Sequence, residues 1–369
     1  MDDEAVDDHM KLAIVNAPTY GYALGDPKKI GGAERQQWLL ARALARAGWS
    51  VTVGVLDGLK PQERVEIEGV SFVGIRTGHF LWSCYRFLVS ERPDWWYWRA
   101  ADHWLGPAFQ IAKFVGVRTI FAAAFDTDAE PQKASLRRQP LWPFFAWGLS
   151  QADRIFVQHS GQLASLNTQW QSKAYIVPSL AGELPVGSPH AERKGYIAWV
   201  GTLRRPKRAD LLLEIARRLP EIVFIVCGGT STFQVTEEYG LEIVTALNKL
   251  SNVKYLGQVK PIETQKIIAE ANIFLSTADG EGFPNTFLEA WSCGTPVVSL
   301  TIDPDGVIYR KGLGKVSGNL DHAIAAIKNM MASPSLRDEI AIRTQEYVQE
   351  FHSEAAVIHI IDLAIRGNR

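Results

Sequence analysis

Short apolar runs alternate with amphipathic stretches, twice in succession, and this alternation constrains the fold more than any other feature. Residues 11–18 read as a strand, and Gly31-Gly32-Ala33-Glu34 follows a polar loop. Apolar residues then recur at helical spacing from Gln36 to Ala47, Gly48 stops them, and Trp49 to Val55 reads as the next strand. Strand, glycine loop, helix and strand make a βαβ unit, which implies a parallel sheet with helices on both faces. Further strands are expected at 70–75, 95–98, 118–123, 154–157 and 173–177. Residues 181–194 break into Gly, Pro, Ser and charge, as an interdomain linker does. A second series follows, with strands at 195–200, 222–227, 253–256, 273–276 and 295–300 and helices near 208–218, 236–250, 262–271 and 285–293. The expected class is α/β, two doubly wound units with a cleft between them and ligands at the carboxyl ends of the strands.

The 369 residues suit two domains, and 47% hydrophobic with 21% charged residues is an ordinary globular balance. The net charge of −1 carries no signature of nucleic-acid binding. Five acids among the first ten residues suggest a disordered acidic tail over 1–10 and argue against a secretory leader. The rest of the first 180 residues is mildly basic, with 19 Lys/Arg against 13 Asp/Glu. Cys84, Cys227 and Cys293 are far apart with apolar neighbours, which points to buried free thiols in a reducing compartment. No apolar run is long enough to span a bilayer. The domains are then 11–180, the linker 181–194, a second domain over 195–345, and a terminal helix over 346–369.

Residues 280–298, Gly-Glu-Gly-Phe-Pro-Asn-Thr-Phe-Leu-Glu-Ala-Trp-Ser-Cys-Gly-Thr-Pro-Val-Val, say most about function. Glu281 sits in a tight glycine-flanked loop, and Pro284 and Asn285 open a short helix. Glu289 lies one turn in, and Gly294 closes the helix before a buried strand. A solvated pair of acids at a helix start is the plain alternative. However, Phe287, Leu288, Ala290, Trp291 and Cys293 make the helix mostly buried, so Glu289 needs a partner or a ligand. Backbone N–H donors between two carboxylates suit a phosphorylated sugar, the donors for phosphate and the acids for hydroxyls.

The segment resembles the two-glutamate motif of the retaining, nucleotide-sugar-dependent glycosyltransferases of family 4, which have the GT-B fold of two Rossmann-like domains. Glu-Gly-Phe-Pro, the second Glu and Gly-x-Pro-Val-Val occur in the family's order. Gly31 and Gly32 are similar to the family's first-domain glycine loop beside the donor phosphates, where the sequence alone also allows a plain flexible loop. They do not form the Gly-x-Gly-x-x-Gly fingerprint of a nicotinamide enzyme. In Gly201-Thr202-Leu203-Arg204-Arg205-Pro206-Lys207-Arg208, Lys207 falls on the family's lysine. Thr202 stands where the family has arginine, and Arg204 or Arg205 is the candidate replacement. Gly229 ends the next strand, and the loop through Val259 is implied to hold the nucleobase through its backbone. The final helix is expected to cross back to the first domain.

Asp126-Thr127-Asp128 follows a strand and resembles a metal-binding Asp-x-Asp of the other large glycosyltransferase fold. The tandem doubly wound pattern and the basic loop argue against that reading. Family 4 members often have histidine here, beside the reactive sugar carbon, and this chain has Asp126. Asp126 or Asp128 either orients an acceptor hydroxyl or caps the loop. His103 and His159 read as structural, and the other histidines show no metal spacing with cysteine. Trp95, Trp96, Tyr97, Trp98 and Trp104 read as core with one exposed edge, with sugar or lipid stacking as the sharper alternative.

The resemblance implies transfer of a sugar from a nucleotide diphosphate sugar to a glycan or lipid-linked hydroxyl with retained configuration. No metal or other cofactor is expected. Lys207 and a nearby arginine would stabilise the leaving diphosphate. Glu281, Gly282, Phe283, Pro284 and Asn285 would hold the sugar, Glu289 the ribose, and Asp126 the acceptor. Domain closure would exclude water. Such an enzyme would be cytoplasmic, with possible peripheral contact at an inner membrane face. An epimerase on the same fold and a non-catalytic nucleotide-sugar binder are the alternatives. A phosphorylase would need a cofactor lysine motif that the sequence lacks.

Overall fold

The computed structural model describes residues 9–26, 31–130, 132–133, 140–185, 187–230 and 237–367. The acidic tail expected over 1–10 falls outside them up to residue 8. The chain forms two compact units: Met1–Leu180 with Val357–Arg369, and Ala181–Ala356.

The first unit is built on an eight-stranded sheet. Its strands are β1 (Lys11–Val15), β2 (Ser50–Val55), β3 (Arg64–Ile67), β4 (Val70–Gly74), β5 (Trp95–Arg99), β6 (Arg118–Ala122), β7 (Arg154–Val157) and β8 (Ala174–Ile176). Their order is β3-β4-β2-β1-β5-β6-β7-β8, and only the edge pair β3/β4 is antiparallel. Strand period two splits the tryptophan cluster between the faces: Trp95 and Tyr97 pack into one core, Trp96 and Trp98 into the other. These four rings are therefore core, while Trp104 is 38% exposed. The glycine-led helix begins earlier than its apolar spacing suggests, at Gly32, and runs to Arg46.

β3 was not foreseen. Glu68 (φ 47°) and Gly69 (φ 79°) both take left-handed backbone, the two-residue turn that folds β3 onto β4. Glu68 also pairs with Arg42 at 3.2 Å and Arg46 at 3.4 Å from the neighbouring helix.

After the helix Leu320–Ala332, the terminal helix expected over 346–369 is instead parts of two helices, Pro334–Phe351 and Glu354–Arg366. The last contributes Val357, Ile358, Ile361, Ala364 and Ile365 to the first unit's core. Arg154 Nε donates to its Ala364 carbonyl at 2.7 Å.

The second unit carries a parallel six-stranded sheet, ordered β11-β10-β9-β12-β13-β14. These are β9 (Tyr196–Val200), β10 (Val223–Cys227), β11 (Val253–Tyr255), β12 (Ile273–Ser276), β13 (Val297–Ser299) and β14 (Gly314–Val316). β14 was also unforeseen: at Gly314 (φ 149°) an added Cβ would lie 2.0 Å from the Val297 carbonyl oxygen. Cys84, Cys227 and Cys293 are buried free thiols, and burial raises their pKa values to about 12, 11 and 12.

The stretch 181–194, expected as a linker, lies within the second unit. Arg193 is buried and donates to the carbonyls of Ser188, Ala271 and Cys293 and to Thr295 Oγ1 at 2.7–2.9 Å. A Cβ at Gly187 would sit 2.5 Å from the Cys293 carbonyl and 2.7 Å from that of Ala269. His190 Nε2 donates to the Gly294 carbonyl at 2.9 Å, and its Nδ1 is buried without a partner.

Removing the Arg193 guanidinium leaves several buried acceptors unpaired, each costing about 1–3 kcal/mol. Arg193→Met is therefore expected to lower the melting temperature of the second unit by about 5–10 °C in calorimetry. Burial, reinforced by Arg193, lowers the His190 pKa to about 4. The unfolded chain takes up this proton near pH 6.5 and the folded chain does not until about pH 4. Stability should thus fall as pH drops through that window. His190→Gln, which keeps the donor to Gly294, should flatten the fall in melting curves recorded from pH 7 to pH 4.

Candidate active site

In the second unit the candidate residues gather on loops at the carboxyl ends of the strands. β9 leads through Gly201 into the basic turn, where Arg205–Lys207 form a 3-10 turn and Arg208 (φ 50°) ends it. The buried Thr277 hydroxyl accepts from Trp199 Nε1 at 2.9 Å and donates to the Lys207 carbonyl at 2.7 Å. Asp279 N–H donates to the Pro206 carbonyl at 3.0 Å. The loop after β12 thereby fixes the backbone that carries Lys207.

The same loop runs on to Glu281, whose Oε1 pairs with Lys207 Nζ. The Lys207 and Glu281 side chains are 19% and 14% exposed, so the pair is largely withdrawn from water. Removing either partner would strand the other charge, which is costly in such a place. Trp199, Ser276, Thr277, Pro284 and Thr286 complete a small recess around them. Pro284 caps the helix Asn285–Ser292, taking the capping position that the sequence suggested for Asn285. Gly294 (φ 68°) follows the helix end, as expected. That helix starts four residues after Glu281, and a helix start favours anionic groups.

The remaining residues are distributed around this core. Gly282 and Pro284 are buried, and so is Phe283, whose ring lies 4.9 Å from that of His352. Glu289 is 9% exposed within the helix and does not line the Lys207–Glu281 recess. Arg204 turns back, its Nε donating to Thr202 Oγ1 at 3.0 Å, and Arg205 stacks its guanidinium over Tyr239 at 5.0 Å. The Arg204 carbonyl accepts from Lys207 N–H at 2.9 Å, which ties the backbone of this arginine to the lysine. Gly229 accepts from Leu203 N–H at 3.0 Å, and a Cβ there would meet Gln258 at 3.2 Å. At Gly228 (φ 149°) an added Cβ would lie 1.8 Å from the Gly201 carbonyl, so the loops after β9 and β10 touch through backbone. Val259 is half-buried at the start of the 261–270 helix.

In the first unit, Gly31 caps the 32–46 helix, and an added Cβ would lie 2.0 Å from Glu34 Oε2. That carboxylate folds over the glycine from the third helical position, where a reciprocal cap comes from. The helix holds the end of the unit: Gln36 Oε1 accepts from Leu180 N–H and Gln36 Nε2 donates to the Leu180 carbonyl, both at 2.8 Å.

The two aspartates after β6 separate by role. Asp128 is 4% exposed and accepts from Ala124 N–H at 2.8 Å and Phe125 N–H at 3.1 Å. Burial raises its pKa against those hydrogen bonds. It is the loop cap, which also removes it from any exposed metal-binding pair with Asp126. The Asp126 side chain is 56% exposed. Its Oδ1 receives His159 Nε2 at 2.8 Å and Gln162 Nε2 at 3.1 Å. His159, read from sequence as structural, thus joins the candidate site, and Gln162 was missed. No sequence signal links Asp126 to partners more than thirty residues away on another helix.

Asp128→Ala is expected to lower the melting temperature by about 2–6 °C through the loss of two hydrogen bonds, from Ala124 N–H and Phe125 N–H. Asp126→Ala should lower it by less, about 0–2 °C, because the Asp126 side chain is 56% exposed and water can take its place on His159 and Gln162. Thermal unfolding followed by circular dichroism separates the two.

Two family models match the chain: "Glycosyl transferases group 1" over residues 182–347 and "Glycosyl transferase 4-like domain" over residues 31–175. The alpha-galactosylglucosyldiacylglycerol synthase of Streptococcus pneumoniae is 27% identical over 164 residues, 44% of this chain and 44% of that protein. The D-inositol 3-phosphate glycosyltransferase of Mycolicibacterium gilvum is 28% identical over 243 residues, 61% of this chain and 52% of that protein. The matches therefore span about half the length of these curated relatives. Among solved structures, sucrose-phosphate synthase of Thermosynechococcus elongatus superposes with a TM-score of 0.75 at 17% identity, over 97% of this chain and 99% of that one. An Anabaena protein solved with UDP and glucose gives 0.74 at 14% identity, over 98% and 100%. These similarities establish the two-domain GT-B fold.

Proposed function

Because the chain belongs to the group 1 glycosyltransferases, we propose that it moves a sugar from a nucleotide diphosphate sugar to an acceptor hydroxyl, retaining the anomeric configuration and using no metal. The observation that carries this reading is the Lys207–Glu281 pair beside a helix N-terminus. It joins a cation suited to a departing diphosphate with a carboxylate suited to sugar hydroxyls. Paired with each other, the two charges neutralise. When donor binds, the ammonium exchanges its carboxylate partner for phosphate oxygen, and Glu281 turns to hydroxyl groups.

The bond from the anomeric carbon to the β-phosphate oxygen breaks as the acceptor oxygen bonds to that carbon on the same face. The acceptor proton passes to the leaving phosphate, so the glutamates are not a glycosidase acid and nucleophile. Glu289 holds the ribose, the loop through Val259 the base, and the Gly31–Gly32 helix start the donor phosphates. Asp126, the exposed member of the Asp126/Asp128 pair, accepts a hydrogen bond from the acceptor hydroxyl as it docks, before that hydrogen turns to the leaving phosphate. UDP-sugars are the first candidates, since the Anabaena neighbour is solved with UDP and glucose.

A thermal-shift panel of UDP, GDP and ADP with their glucose and galactose derivatives is the direct test. One nucleotide series should raise the melting temperature, and silence across the panel would overturn the proposal. With the donor so found, Lys207→Ala should lower turnover of that donor by about 10²–10³-fold. Glu281→Ala should lower it by about 10²-fold through misplacement of the sugar. Full activity in both variants would refute the assignment.

A further inference from the structure

We propose that His159 and Gln162 are positioning residues that aim the Asp126 carboxylate at the acceptor hydroxyl; this rests on the transferase reading above. Asp126 occupies an exposed 3-10 turn after β6, where a lone carboxylate would rotate freely between solvent orientations. Two nearly buried side chains, one from the cap and one from the first turn of the Ser160–Ser165 helix, prevent that. His159 and Gln162 are 8% and 1% exposed.

Each donor is fixed by a second bond. Gln162 Oε1 accepts from Gln158 N–H at 2.7 Å, which sets the amide so that its NH2 group faces Asp126. That NH2 also reaches Gln158 Oε1 at 3.3 Å, and Gln158 donates to Ser179 Oγ at 2.8 Å. His159 caps its helix, its Nδ1 accepting from Gln162 N–H at 3.4 Å. An accepting Nδ1 places the ring hydrogen on Nε2, which then donates to Asp126. Both donors meet the same oxygen, Oδ1. The carboxylate plane is thereby set, and Oδ2 is presented outward as an acceptor.

A purely structural role for His159 would be the helix cap. The two roles use different nitrogens, so substitution can separate them. Asparagine caps helices well and mimics Nδ1, but cannot reach Asp126 in place of Nε2. Glutamine places its amide nitrogen near the Nε2 position and keeps that donor. Second-layer partners of this kind are worth about 10–100-fold where they have been removed from metal ligands, and a similar scale is expected here.

The experiment measures turnover of the donor selected by the nucleotide-sugar panel, with water as the acceptor, in the full-length protein. His159→Asn should lower kcat at least tenfold, with the donor KM within twofold and the melting temperature within about 2 °C. His159→Gln should retain at least fivefold more activity than His159→Asn. In an Asp126→Asn background, His159→Asn should cause no further loss. Equal activity in wild type and His159→Asn overturns the proposal, as does an undiminished loss in the Asp126→Asn background. If Asp126→Asn alone is fully active, the acceptor role of Asp126 itself is refuted and the positioning role with it. A 15N spectrum of labelled imidazole, which needs no substrate, should show His159 as the Nε2–H tautomer at neutral pH. The Nδ1–H tautomer would overturn the proposal whatever the donor proves to be.

Discussion

The hydroxyl of Thr277 holds the donor-side candidate site together. It accepts from the buried Trp199 indole N–H and donates to the Lys207 carbonyl, and the Thr277 side chain is itself buried. Unpaired groups there would each carry a full desolvation cost, so the loop after β9 has little freedom to move away from the loop after β12. With Asp279 N–H on the Pro206 carbonyl, two backbone segments far apart in sequence become one rigid corner. Lys207 and Glu281 meet because their backbones are fastened, and their charges then need only short side-chain adjustments to change partner.

The parallel alternation was legible because each central strand is buried on both faces and so appears as an uninterrupted apolar run. β7 and β12 fall on their expected residues for this reason. β3 carries two charged residues in four and lies at an edge, where pattern is weak. Its hairpin uses Glu68 at a left-handed position that Asn or Asp more often fills, so the turn signal was faint. β14 begins at a glycine whose value is close backbone approach, which sequence does not display. The terminal stretch was read as one helix because its helical spacing persists. The break falls at His352, which ends the helix that Ser333 caps and Pro334 starts.

The site was legible in its contiguous parts and opaque where it depends on distance. Glu281, Pro284 and Glu289 share one helix start, so their register follows from spacing alone. The turning of Arg204 onto Thr202 could not be read, because basic residues in a turn say nothing of their direction. The same holds for Asp126 and Asp128, which are equivalent in sequence. The backbone of the loop decides between them: two N–H groups converge on Asp128 and bury it, leaving Asp126 outside.

That division has a physical consequence. A buried carboxylate with two backbone donors is a poor hydrogen-bond partner for a ligand, since its lone pairs are committed and its surroundings resist water. An exposed carboxylate is available but undirected. The first unit combines the two solutions: Asp128 shapes the turn, and the turn sets Asp126 where His159 and Gln162 can reach it. The Gln158–Ser179 bond carries this polar chain from the Asp126 turn towards Leu180, whose backbone is itself clasped by Gln36 from the glycine-led helix. A continuous run of satisfied buried polar groups specifies one arrangement more strictly than apolar packing does, because any slip leaves a donor or acceptor unpaired. The candidate acceptor residue and the helix behind the Gly31–Gly32 loop are therefore held by neighbouring parts of one polar framework, and neither can shift without disturbing groups that the other depends on.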